Sequence, residues 1–112
     1  MANIFERLDN REAFEVTIKG GSVWVREPTY GDVDRVSAME SGELKTALSL
    51  GLCLVEKDGT RAFNPADGES DSAFAARMLE VMKTIGPSSL RAIQQAIQKL
   101  TQTPDIEELA KN

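Results

Sequence analysis

The clearest local pattern in the chain is an alternation of apolar and polar residues at positions 14–19, followed by two glycines and a second β-rich run at positions 22–27. Alternation of this kind, with β-branched and aromatic side chains, is typical of strands. Glycine tolerates the positive φ that a tight turn requires, so the pattern predicts a β-hairpin over residues 14–27. Pro28 cannot donate to a strand ladder and should end the second strand.

The same alternation assigns the two faces of the predicted hairpin. Successive side chains of a strand point to opposite faces. The pattern therefore places five apolar residues on the inward face: Phe14, Val16, Ile18, Val23 and Val25. Trp24 should then point to the other face, where an exposed tryptophan often marks a contact site. A terminal helix that covers Trp24 is the alternative explanation, and the sequence leaves both open.

Most of the remaining chain has apolar residues at steps of three and four, which is typical of helices. The pattern predicts four helices joined by turn-forming residues, at about 30–40, 43–56, 72–85 and 90–102. Thr29 followed by Asp32 predicts a capping box at the start of the first helix. In the fourth helix, the apolar stripe from Leu90 to Leu100 covers about three turns, which favours packing within the chain over a coiled-coil face.

Two further elements are predicted near the chain ends. Residues 2–10 form a weakly amphipathic segment, and Pro104 introduces a last short helix. Together these patterns predict an α+β fold, in which an N-terminal β-hairpin at 14–27 is followed by a mainly α-helical region of four to five helices at 30–111. A chain of 112 residues without an internal linker is expected to form a single domain over residues 1–112.

Composition and charge narrow the classes of function. Hydrophobic residues make up 41% of the chain and charged residues 28%, as in ordinary globular proteins. The formal net charge is −5, whereas binding to nucleic acids and to anionic membranes depends on lysine and arginine, so we expect neither as a partner. The longest apolar stretch, residues 48–55, is too short to span a bilayer. The first residues lack the pattern of a signal peptide, so the sequence favours the cytoplasm.

Few residues in the chain are suited to catalysis. There is no histidine and only one cysteine, so the commonest general base and the commonest neutral metal ligand are both missing. Cys53 lies among apolar residues and is predicted to be a buried core residue. Asp67, Glu69 and Asp71 lack the spacing of a calcium-binding loop and are predicted to be solvated. The sequence therefore predicts no catalytic residue, no cofactor and no metal site, and indicates that the protein is not an enzyme.

Four features of the chain occur together in one known family. They are a Val-Trp-Val-Arg-Glu strand that runs into Thr29 and an acidic helix start, an acid–glycine turn with a short segment ending at Phe63, an acidic loop before a helix, and the ending at residues 107–112. In this order they span most of the chain, which resembles the small tail assembly chaperones of long-tailed bacteriophages and their prophages. The glutamine-rich helix at 90–102 departs from the family pattern.

This resemblance implies a β-hairpin packed with helices and a role in virion morphogenesis. Tail assembly chaperones of these siphoviruses bind the tape measure protein, a very long helical chain, and keep it soluble until tail tube subunits polymerise around it. The expected partner is therefore the tape measure protein, with the major tail tube protein as a second candidate. The expected location is the bacterial host cytoplasm, and the protein is not expected in the mature virion.

The predicted partner-binding residues lie on the second strand of the hairpin and just after it: Trp24, Val23, Val25, Arg26 and Tyr30. An apolar groove between the later helices is the other candidate contact surface. A different class of function, a structural head–tail connector or tail terminator of the virion, is the alternative. Such proteins form rings and need a self-complementary interface, so the oligomeric state distinguishes the two classes.

Overall fold

The computed structural model describes residues 12–101 and shows an α+β fold, as the sequence predicts. Two strands come first, β1 (Ala13–Ile18) and β2 (Gly21–Arg26). They are followed by α1 (Tyr30–Ser37), α2 (Gly42–Cys53), β3 (Leu54–Val55), α3 (Asp71–Met82) and α4 (Pro87–Thr101). The predicted segment at 2–10 and the short helix after Pro104 lie outside the described residues, and the single domain over 1–112 stays a prediction.

The predicted faces of the hairpin are confirmed. β1 and β2 pair antiparallel with Val16 directly opposite Val23, which places both side chains on the same face. Val16 and Val25 are buried, and Ile18 and Val23 pack against the core. Phe14 is 45% exposed, since it lies near the open end of β1, which is an edge strand of the sheet.

The turn of the hairpin lies one residue earlier than the glycine pair suggests. Ile18 pairs with Gly21, which leaves Lys19 and Gly20 as the two loop residues. Gly20 has a φ of 89°, and no non-glycine residue among those described has a positive φ, so only one of the two loop residues is left-handed. A type I′ turn needs two. Burial of the inward face sets this register, because a slip by one residue would turn the apolar side chains to solvent.

The third strand is an element that the apolar spacing does not predict. The spacing predicts a helix to about residue 56, but α2 ends at Cys53. The backbone becomes extended at Leu54, with φ −69° and ψ 127°, and Leu54 and Val55 pair antiparallel with β2. The second edge of β2 offers backbone donors and acceptors at this point, so pairing between distant segments overrides the local helical pattern.

Side-chain caps determine where the helices begin. Thr29 Oγ1 accepts a hydrogen bond of 3.0 Å from the Asp32 backbone N–H, and the Asp32 carboxylate accepts one of 3.0 Å from the Thr29 N–H. These two bonds confirm the predicted capping box. Ser41 caps α2 and Ser70 caps α3 through their hydroxyl oxygens. Helices α1 and α3 end earlier than the apolar spacing predicts, because the residues that follow close into tighter turns.

The core is built mainly where α2 meets α3. The largest fully buried side chains are Phe74, Leu48, Leu50, Met78, Val25 and Cys53. Gly51 lets the two helices approach, because a Cβ at this position would lie 2.8 Å from side-chain atoms of Phe74 and Met78. Helix α4 packs on the hairpin and contributes the buried Ile93 and Ile97, which confirms that its apolar stripe packs within the chain.

Gly51→Ala is expected to destabilise the fold by about 1–3 kcal/mol, because the added methyl group overlaps a fully buried aromatic ring. Urea unfolding measures the change. Gly42→Ala in the same helix is the matched control, since a Cβ there meets nothing within 4 Å and alanine is the better helix former. We expect the control to be as stable as the parent or slightly more stable. Equal stability of the two variants would show that Gly51 is not needed for the α2–α3 contact.

Candidate partner-binding surface

The five residues predicted to bind a partner do not form one surface. Val25 is fully buried, so its side chain is removed from the predicted contact set. Val23 is half-buried and packs against the core. Trp24 and Arg26 lie on the other face of β2 and are also half-buried, whereas Tyr30 at the start of α1 is 88% exposed. Alternation along β2 separates these neighbours, because adjacent strand residues point to opposite faces.

Trp24 belongs to a row of side chains that crosses the outward face of the sheet. It pairs with Glu15 on one side and with Val55 on the other, and Val55 in turn bridges to Arg61. Residues directly opposite each other in an antiparallel ladder point to the same face. We call these four residues the outward row. Val55 is 4% exposed but lies outside the main core cluster, so its burial is consistent with cover from its neighbours in this row.

Helix α1 carries apolar side chains that the described residues leave accessible. None of its residues is fully buried. Tyr30 is 88% exposed and Val33 is 45% exposed, while Val36 packs against the core. The apolar spacing places Val33 and Val36 on one face of the helix, but it does not show that the neighbouring helix covers only part of that face. The exposure of Val33 is therefore a feature that sequence reasoning missed.

Two clefts meet beside α1 and form a groove. One, of about 220 Å³, lies between α1 and α2. The other, of about 440 Å³, continues along α2 to α4. We call the two together the Val36 groove, because Val36 and Ser49 line both. Its apolar lining consists of Val33, Val36, Leu50, Leu52, Cys53 and Ile97. The sequence suggested an apolar groove between the later helices, whereas here the early helix α1 forms one wall.

One ion pair holds α1 beside this groove. The Arg35 guanidinium donates two hydrogen bonds to Asp71 at the start of α3, from Nε to Oδ2 at 3.0 Å and from Nη2 to Oδ1 at 2.7 Å. Arg35 Nη1 also lies 3.7 Å from Asp32 Oδ1. Hydrogen bonding from Arg35 lowers the pKa of Asp71 below its usual value, because it favours the charged carboxylate. This bidentate fork connects α1 to α3 with a defined geometry.

Arg77 forms hydrogen bonds with the acidic loop before α3. Arg77 donates to the Glu69 carboxylate from Nε at 3.1 Å and from Nη2 at 2.9 Å, and Nη2 also donates to the Asn64 carbonyl at 2.8 Å. The hydrogen bonds from Arg77 lower the pKa of Glu69. Glu69 and Asp71 of the predicted surface loop thus form ion pairs with arginines. Among the described residues, no group of three or more His, Cys, Asp or Glu side chains is placed to hold a metal ion.

Cys53 is 0% exposed at the end of α2, which confirms its predicted core position. None of the helices in the described part of the chain has the length and apolar character that crossing a bilayer requires.

No protein-family model matches this chain, and no curated protein and no solved structure matches it either.

The pair of Arg35 and Asp71 should make the stability of the fold depend on pH. A carboxyl group with a lowered pKa in the folded chain stabilises the fold above the pKa of an unfolded aspartate, about 4, and this contribution is lost as the pH falls through the folded value. Asp71→Asn should therefore be less stable than the parent near neutral pH and nearly equal to it at about pH 2. Both side chains are more than a third exposed, so the difference should stay below about 1 kcal/mol.

Urea unfolding at the two pH values measures this difference. Asp67→Asn is the control, because Asp67 lies in the same loop and is exposed, and we expect it to match the parent near neutral pH. A deficit of Asp71→Asn that is the same at both pH values would contradict the ion-pair explanation and would indicate a packing defect instead.

Proposed function

We propose that this protein is a tail assembly chaperone, which binds the tape measure protein of a long-tailed bacteriophage or prophage and keeps it soluble until the tail tube polymerises. The observation that carries the proposal is the Val36 groove, which the exposed Val33 lines, together with the exposed Tyr30 three residues earlier on the same helix. A groove of this kind suits an amphipathic helix, which can lay its apolar residues into it. The family resemblance of the hairpin and turn motifs supplies the identity of the partner.

The proposed role is consistent with the negative net charge of the chain and with its few exposed apolar side chains. A long amphipathic chain exposes apolar surface before assembly, and such surface promotes aggregation unless something covers it. A net charge of −5 helps to keep the complex soluble. Tube subunits must later displace the chaperone, so moderate affinity is needed, and a groove with few exposed apolar side chains provides it. The role involves no catalysis, and it places the protein in the bacterial cytoplasm and outside the mature virion.

Co-expression tests this role. A tape measure protein encoded beside this gene is produced alone and together with the chain, and its soluble fraction is measured after centrifugation. We expect the chain to raise the soluble fraction severalfold. The double variant Tyr30→Ser with Val33→Ser should remove most of this effect, because it removes the exposed apolar groups of α1 without altering a buried residue. Its thermal unfolding should remain close to that of the parent.

Phe14→Thr is the matched control, since Phe14 has the same 45% exposure as Val33 but lies on β1. It should keep the solubilising effect. A soluble fraction that the parent chain leaves unchanged would falsify the chaperone role, and equal loss in the control and the double variant would contradict the assignment to α1. A stable ring of this chain in purified particles would favour the head–tail connector or tail terminator.

A further inference from the structure

Two arginines on the outward face of the sheet have buried guanidinium nitrogens. Arg26 Nε, Arg61 Nε and Arg61 Nη2 are buried and have no hydrogen-bond partner among the described residues. A buried donor without an acceptor costs free energy, and more so when it belongs to a charged group. The chain has 18 acidic residues, so a shortage of acids does not explain this arrangement.

The two arginines share a face with Trp24. Arg61 ends the outward row beside Val55, which pairs with Trp24. Arg26 is two residues beyond Trp24 on β2, so it points to the same face, and its charge acts on Arg61. Glu15 is the acid of the outward row, but it lies three strand spacings from Arg61, which is about 14 Å.

Arg35 and Arg77 show what pairing does to an arginine in this fold. Each forms a bidentate fork with a carboxylate, and these hydrogen bonds raise the pKa of both. Arg61 is the opposite case, because burial lowers its pKa and the charges of Arg26 and Arg35 lower it further, while the opposing effect of the Asp32 charge is smaller. Arg61 Cζ lies 5.7 Å from the ring centroid of Phe74, but the paired Arg77 makes the same contact at 5.2 Å. Arg77 therefore has both the ring contact and a paired acid. A contact with this ring does not take the place of a paired acid.

We infer that Arg26 and Arg61 form a binding site for a carboxylate of an acidic protein segment, with Trp24 as its apolar neighbour. A guanidinium presents parallel N–H donors that match the two oxygens of a carboxylate. Both arginine side chains are half-buried, so each is partly accessible to such a group. Tryptophan and arginine are enriched at the energetic centres of protein interfaces. Neither arginine lines the Val36 groove, so this site does not depend on the role proposed above.

The surrounding charges favour an acidic side chain over a nucleic acid. Asp32 and Asp71 lie beside Arg35, and the charge of Arg35 lowers the pKa of Arg61. The whole chain carries a net charge of −5. A nucleic acid brings a phosphate with every nucleotide and would meet these acids. A single carboxylate between apolar side chains carries one negative charge, so it would contact the arginine pair and Trp24 with much less of that repulsion.

Fluorescence of Trp24, the single tryptophan of the chain, measures binding at this site. The probe is a short blocked peptide in which leucine and glutamate alternate, and the reference peptide has glutamine in place of glutamate. We expect the glutamate peptide to shift the Trp24 emission and to bind at least about tenfold more tightly than the reference. Arg26→Met and Arg61→Met should each weaken its binding about tenfold, because each removes a charge-assisted pair.

Arg91→Met is the matched control. Arg91 is exposed on α4, and its loss changes the net charge by the same amount as the loss of Arg26 or Arg61. It should bind the peptide as the parent does. Arg61→Met also removes two unpaired buried donors, so the chain without peptide should unfold at the same temperature as the parent or at a higher one. Arg61→Lys keeps the charge but loses the planar fork, and it should bind more weakly than the parent while remaining folded.

Three results would overturn this inference. The first is equal affinity for the glutamate and glutamine peptides. The second is parent-like binding by all three variants of the arginine pair. The third is tighter binding of a single-stranded oligodeoxynucleotide of equal charge, which would assign the pair to phosphate.

Discussion

The close approach of α2 and α3 at Gly51 is the constraint on which the rest of the structure depends. The absence of a side chain there lets Phe74 and Met78 pack directly against the α2 backbone. Helix α2 continues without a break into β3, so its position determines where Val55 joins the sheet. Helix α3 begins with Asp71, which holds α1 through Arg35. One packing contact thus positions both surfaces that a partner could use.

Those two surfaces rest on different physics. The Val36 groove offers apolar area that an amphipathic helix can cover, and its wall depends on a partly exposed ion pair between α1 and α3. The pair of Arg26 and Arg61 instead holds buried donors for which the described residues provide no acceptor. An unsatisfied buried donor lowers the stability of a folded protein, and the carboxylate inferred above would offset part of this cost on binding. At the sheet, therefore, the same unsatisfied donors favour binding and lower the stability of the fold. At the groove, binding and stability do not conflict.

Local chemistry explains the features that sequence reasoning predicted correctly. The alternation around Val16 and Val23 assigns the faces of the hairpin, because strand geometry allows no other placement of alternate side chains. The spacing of Thr29 and Asp32 is sufficient to predict the capping box. The apolar surroundings of Cys53 predict its burial. Each of these predictions uses residues within one turn or one strand.

By itself, therefore, the sequence determined the α+β class, the hairpin faces, the capping box at Thr29 and the apolar stripes of the helices, whereas α4 begins at Pro87, three residues before the predicted start. Only the tertiary structure decided that residues 54–55 leave the helix to form β3, since that choice depends on the second edge of β2. It also decided that Val33 stays exposed and that Arg61 joins the outward face of the sheet. These features join segments distant in the chain, and local periodicity carries no information about which distant backbone edges and charges will meet.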